Sequence, residues 1–346
     1  MRRLLLVLAL LIPLILLAVL RRPRADAGVQ VAQMWPVMGT FLQARAHAPD
    51  SVVARAALRA ARQAVFRVDS LMSTYRPESE ISHLNARAGT GEWQQLSRES
   101  MAVLIASRRA ADASGGAFDI SVGPLMEAWG FRTPRAGRPD AGALDRARAR
   151  VGYRGVELDS AGGRARLARP GMAVDLGAIA KGYALDLAGE AMRRAGGTAG
   201  MIDLGGNVLV FGAPGPERTA WRIGILDPAD RDGTIGTIAV REGSVATSGN
   251  YEQFFEWDGV RYSHIMDART GRPARGTAQV TVVAPGGLQA DILSTVLFIL
   301  GPEAGRPLLE EPLGAGAAAL WVADSAAAGT AGRIVAGADP GRFRIR

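Results

Sequence analysis

The chain has 346 residues, 48% of them hydrophobic, and no cysteine, which excludes disulfides, thiolate metal ligands and a thiol nucleophile. Three histidines (His47, His83 and His264) are too few to favour a histidine-rich zinc site. The formal charge of +8 drops to +3 once Arg2, Arg3, Arg21, Arg22 and Arg24 are set aside, and no basic helix is interleaved with aromatics, which argues against nucleic acid as a partner.

Those five arginines flank Leu4 to Leu20, an uncharged run of 17 residues. As a helix it would span about 26 Å, slightly short of a ~30 Å hydrocarbon core. With Met-Arg-Arg before it, the run reads as a secretory signal or membrane anchor. The small-residue stretch Ala25-Asp26-Ala27 could be cleaved, but three arginines separate it from the apolar run, so anchoring is placed ahead of cleavage. Residues 1–27 are expected to export the chain to the periplasmic side of a membrane, and residues 28–346 to fold there.

After a short linker, residues 39–48 alternate like a strand, and apolar spacing predicts a helix over 51–72. Residues 73–89 read as a polar loop, 98–113 as a helix that stops at Ser-Gly-Gly, and 117–131 as mixed and turn-rich. The Pro/Gly-rich stretch 134–142 suggests a surface excursion. Short strands are expected near 153–158, 164–168 and 172–175, then a helix over 178–195. Strands dominate 200–285, followed by a helix near 290–300 and a late strand in "AALWVAD". Strand-rich blocks broken by separated helices argue for an α+β fold.

Forty basic positions are arginine and one, Lys181, is lysine. It falls on the first turn of the 178–195 helix, where free amides and the positive helix end would attract a phosphate. Asp175 lies at the same mouth, as a ligand-facing carboxylate or as the helix cap. In "QADILSTVLF", Asp291, Ser294 and Thr295 share one helix face, an oxygen set that suits Mg²⁺; the alternative is that Asp291 caps that helix. His264 stands among polar and glycine-rich residues, either as a base for a hydroxyl nucleophile or as a histidine tied into a hairpin. "SGGAFDISVGPL", with Asp119, is by itself only a turn.

Taken together and in order, "MGTF", "LMSTYRPESEISHLN", "GGAFDISVGPL", "VDLGAIAKGYALD", "MIDLGGNVLVFG", "SVATSGNYEQ", "YSHIMDARTG" and "ADILSTVLFILG" resemble the ApbE family of FAD:protein FMN transferases over residues 34–301. The resemblance implies a T-fold-like α+β architecture of antiparallel sheets flanked by helices. It implies Mg²⁺-dependent transfer of the FMN half of FAD to a Thr or Ser hydroxyl of an acceptor protein, with release of AMP. By matching motif, Met38, Tyr75, Ala117, Phe118, Asp119, Asp175, Lys181 and Ile265 would contact FAD. Asp291, Thr295 and the carbonyl of Ala178 would hold the metal, with Ser294 beside them, and His264 would be the base. The acceptor would be a membrane redox subunit. The rival readings are an FAD pyrophosphatase that uses water as nucleophile and a non-catalytic FAD-binding protein.

Overall fold

The computed structural model describes residues 28–133, 137–215, 217–230, 232–324 and 333–345. The expected export segment at 1–27 lies outside them, as do residues 134–136 of the expected surface excursion.

The linker before residue 39 is in fact a strand. β1 (Val29–Val37) pairs antiparallel with β2 (Thr40–Ala48), and the two-residue turn between them holds Met38 and Gly39 at φ of 52° and 70°. Two positive φ values suit the twist of a tight hairpin, but a methionine adopts one only where its surroundings impose it. β1 is exposed along most of its length and carries Pro36, so its sequence shows no buried alternation.

α1 (Ser51–Met72) starts at Asp50, whose carboxylate accepts from the amides of Val52 and Val53 at 2.8 and 2.9 Å. It buries Ala54, Leu58, Ala61, Val65, Val68 and Met72, the single apolar face its spacing predicts. The expected loop 73–89 contains α2 (Glu80–Ala86), capped by Ser79 and anchored by Ile81 and Leu84. Two buried residues in a seven-residue helix are too weak a period to stand out among polar neighbours. β3 (Gln94–Gln95) precedes α3 (Arg98–Ala113), capped by Ser97; the turn-rich segment then yields a short α4 (Gly123–Ala128), and α5 (Ala141–Arg148) follows. β4 (Val156–Asp159) and β5 (Arg164–Leu167) complete a three-stranded sheet with β3.

The expected strand at 172–175 is extended but joins no sheet. Its partners are the side chain of Asn85, bonded to both the amide and the carbonyl of Val174 (2.7 and 2.9 Å), and the backbone at 120–123. Here a side-chain amide supplies the bonds that a neighbouring strand would.

α6 (Ala180–Arg194) leads into β6 (Ala199–Leu204), β7 (Asn207–Phe211), β8 (Trp221–Leu226), β9 (Thr234–Val240) and β10 (Gly243–Gly249). Then come the hairpins β11 (Phe254–Trp257) with β12 (Val260–Ser263) and β13 (Met266–Asp267) with β14 (Arg272–Pro273), and the long β15 (Thr277–Ala284). α7 (Gly287–Gly305), β16 (Ala318–Ala323), β17 (Arg333–Gly337) and β18 (Phe343–Ile345) finish the chain.

An open antiparallel sheet runs β1-β2-β6-β7-β10-β15-β16-β17 and forms the middle layer. Period-two alternation divides its side chains between two cores. Val208 and Val210 of β7, with Leu320 of β16, face a small sheet of β8, β9 and β18. Leu209 and Phe211 face α1 and α6, and Val280, Val282 and Trp321 pack on α7. Every residue of β15 is buried, since both of its faces are covered. α7 is long and apolar enough to cross a membrane, yet Ala290 to Phe298 are buried throughout. The lack of an apolar stripe in its sequence therefore reflects a core helix enclosed on all sides.

Candidate active site

α6 and α7 start against each other. Gly182 and Gly287 form the contact, and a Cβ on either would collide with the other's carbonyl oxygen. The carboxylate of Asp186 on α6 accepts from the amides of Gly287 and Leu288, capping α7. In return, Asp291 Oδ2 on α7 accepts from the Gly182 amide at 2.8 Å. Neither expected self-cap exists. Asp291 lies inside its own helix, which begins at Gly287, and α6 begins after Ile179 with no side-chain cap. Asp175 Oδ1 instead closes a local turn on the Gly177 amide at 2.9 Å.

This cross-capping alters the chemistry at the start of α6. In a regular helix the Gly182 amide would bond the carbonyl of Ala178; donating to Asp291 instead leaves that carbonyl open. Asp291 Oδ1 accepts from Asn207 Nδ2 at 2.8 Å. Ser294 Oγ donates to the Asp291 carbonyl at 2.9 Å and meets Ser248 Oγ at 2.9 Å, and Ser248 Oγ lies 3.3 Å from Thr295 Oγ1. Burial pushes the Asp291 and Asp203 carboxyls above the usual range, and the ammonium of Lys181 pulls both back down. Lys181 makes no hydrogen bond or ion pair of its own among the described residues. One lysine thus biases two carboxylates without being consumed by either.

Among the described residues, no three His, Asp or Glu side chains gather as a metal cage. A cation here would rest on one carboxylate, the Thr295 hydroxyl and the freed Ala178 carbonyl. All are hard oxygen donors, and the buried carboxylate is bonded only by neutral donors, so the residues fit a Mg²⁺ that retains several waters.

His264 follows β12. Its amide donates to the Gln253 carbonyl at 2.9 Å, and Nδ1 lies 3.1 Å from that same oxygen. With Nδ1–H donated there, Nε2 keeps its lone pair free. Burial, the largest influence, holds the imidazole below its usual pKa of 6.5, and Lys181 pushes the same way. Phe131 meets the ring edge-on at 6.4 Å. The next residue, Arg132, places Nη2 2.8 Å from Asp175 Oδ2.

The remaining expected contacts fall around this centre to different degrees. Ala117 and Phe118 are buried, 0% and 2% exposed, so neither residue presents surface to a ligand in this structure. The Ala117 carbonyl accepts from Ala268, and the Ile120 carbonyl from Asp175, which stitches this loop to both the His264 and the Asp175 segments. Asp119 accepts from the Ser121 amide, the Ser121 hydroxyl and the Tyr153 amide, each at 2.7 Å. It lines a cavity of about 500 Å³ together with Arg148, Tyr153 and Arg269, none of which belongs to the Lys181–Asp291–His264 cluster. Ile265, 6% exposed, packs in the core beside α7. Met38 occupies the β1–β2 tip, whose Thr40 touches the Gly205 turn after Asp203. Tyr75 stands in solvent, 79% exposed.

Sequence reading missed Asn85, Arg132, Asp186, Asp203, Asn207 and Ser248. Asp203 and Asn207 lie in "MIDLGGNVLVFG" and Ser248 in "SVATSGNYEQ", two stretches of the family resemblance from which the sequence singles out no residue. Arg132 left no signal among forty arginines.

An antiparallel sheet with a helix pair whose crossed caps set a lone lysine beside a buried carboxylate, with a histidine within that lysine's electrostatic reach, defines a site suited to a phosphate-bearing substrate. The sequence profile of the ApbE family matches residues 38–321, and the chain belongs to that family. It is 34% identical to an FAD:protein FMN transferase of Klebsiella pneumoniae, covering 84% of each protein. It is 35% identical to one of Treponema pallidum, covering 80% of each. Its fold matches the crystal structure of the ApbE protein of Thermotoga maritima with a TM-score of 0.79 and 30% identity, covering 89% of this chain and 97% of that one. The flavin transferase ApbE of Vibrio cholerae matches with a TM-score of 0.77 and 29% identity, covering 90% and 98%.

Proposed function

We propose that this chain transfers the FMN moiety of FAD to a Ser or Thr hydroxyl of an acceptor protein and releases AMP. The observation that carries this reading is the position of His264: one ring nitrogen is tethered to Gln253, the other is free, and Lys181, whose charge also acts on the buried Asp291, lies within its electrostatic reach. Nε2 takes the proton of the acceptor hydroxyl as its oxygen attacks the FMN-side phosphorus. The bond from that phosphorus to the bridging oxygen breaks, and AMP departs with both bonding electrons. Lys181 offsets charge on the phosphates, while the Ala117–Asp119 loop and Asp175 shape the nucleotide site.

A Mg²⁺ bound through Asp291, Thr295 and the Ala178 carbonyl would supply Lewis-acid stabilisation of the charge that develops on phosphoryl oxygens. The names of the relatives support the transferase reading over simple storage of FAD, as does the unsaturated Asp291 carboxylate, which flavin binding alone does not require. The uncharged run Leu4 to Leu20 supports export and anchoring at the periplasmic face of a membrane, where the acceptor would be a membrane redox subunit.

The test is to incubate the purified protein with FAD, Mg²⁺ and a candidate acceptor, then weigh the products. An acceptor heavier by one esterified FMN (FMN less water), with AMP released, supports the proposal. Free FMN with an unmodified acceptor shows a pyrophosphatase, and unchanged FAD shows a binding protein.

A further inference from the structure

We propose that Arg132 is a second cationic contact for the pyrophosphate of FAD, working beside Lys181; this rests on the FAD reading above. The segment after α4 delivers two consecutive side chains to the site. Phe131 lies against His264, and Arg132 is paired with Asp175, whose charge also reaches His264. Arg132 therefore stands at the mouth shared by the histidine and the first turn of α6.

Charge accounting calls for such a residue. The charge of Lys181 acts on the carboxylates of Asp203 and Asp291, and Asp175 opposes it at His264, so a single ammonium is outnumbered before any phosphate arrives. Arg132 is also incompletely used. One terminal nitrogen bonds Asp175, the side chain stays 22% exposed, and Nε is buried with no hydrogen-bond partner. A planar guanidinium matches a phosphate's oxygens two at a time, which a carboxylate held at one point does not exploit. In the free protein Asp175 keeps the fork aimed at the mouth. An arriving pyrophosphate takes the donors that Asp175 leaves over.

The experiment measures FAD affinity of the full chain by flavin fluorescence over a series of NaCl concentrations, with ADP as competitor. Wild type is compared with Arg132→Gln and Arg132→Lys. The expected result for R132Q is a loss of about 10- to 100-fold for FAD and for ADP at low salt, shrinking as salt rises. R132K should fall between, because it keeps the charge and loses the fork. Unchanged FAD affinity in R132Q overturns the role. So does a loss of the same factor at every salt concentration, which would show that Arg132 acts only by bracing Asp175. A wild type that does not bind FAD overturns the functional reading, and this role with it.

Discussion

Asp119 and Asp291 invite comparison because burial treats them alike and hydrogen bonding does not. They are 7% and 4% exposed, and desolvation pushes both carboxyls above the usual range. Asp119 is offset by three donors at 2.7 Å that fasten its loop to Ser121 and Tyr153, and Ser121 Oγ in turn accepts from Gly152. Asp291 receives two neutral donors and is surrounded by hydroxyls and an open carbonyl. A carboxylate with about four lone-pair positions is nearly used up in the first case and half free in the second. Buried carboxylates are therefore better sorted by the acceptor capacity they retain than by their depth. On that measure Asp119 is spent on fastening its own loop, and Asp291 keeps acceptor capacity that a cation could use.

The largest expected effect lies where the two regions meet, at His264. His264→Ala should slow single-turnover FMN transfer by about 10²–10⁴-fold and leave FAD affinity within about twofold. Because burial lowers the imidazole pKa, the wild-type rate should stay level through neutral pH and fall only below 6.5, as protonation removes the Nε2 lone pair. An acid limb centred above 6.5, or an equal loss of rate and binding, would remove the histidine from proton transfer.

Asp291→Asn tests the half-free carboxylate. Its shape is kept, and Asn207 can turn its amide to restore the bond, so the melting temperature should move little. Turnover should drop on the order of 10²–10³-fold, with a raised Mg²⁺ requirement. Normal turnover at ordinary Mg²⁺ would show that Asp291 serves only to hold α6 against α7.

Asp119→Ala should do the reverse. It strands two amides and a hydroxyl, so chemical denaturation should reveal a loss of about 2–3 kcal/mol, while activity per folded molecule falls less than about tenfold. A stable but inactive Asp119→Ala protein would dissolve the distinction between the two residues. The smallest effect is expected at Lys181. Lys181→Arg keeps the charge and changes its shape, and should cost about three- to tenfold in FAD turnover. Wild-type kinetics there would mean that the position needs only charge.

Much of this architecture is written in local patterns. The helices over 51–72 and 98–113 each combine a capping residue with one apolar face, and both appear with the expected bounds. The α+β character follows from strand-like blocks between separated helices, and the family from eight short motifs in register. Lys181, Asp291 and His264 could be singled out because each breaks its surroundings: the lone lysine, an acid in an apolar helix, a histidine among polar residues.

The rest depends on partners distant in the chain. The stretch 172–175 looks like a strand because it is extended, yet its hydrogen bonds go to the backbone at 120–123 and to the side chain of Asn85, 89 residues away, rather than to a sheet. Asp175 and Asp291 looked like caps because each stands near a helix start. What makes Asp291 a cap is that it serves the other helix, across 109 residues, through a glycine contact that no pattern in either segment announces. Arg132 could not be told from thirty-nine other arginines until the fold set it against Asp175. Periodicity and capping are encoded over a few residues, so sequence alone determined them. Which lone pairs remain unspent, and which charges face one another, depends on every group the fold brings within hydrogen-bonding reach, so only the tertiary structure decided them.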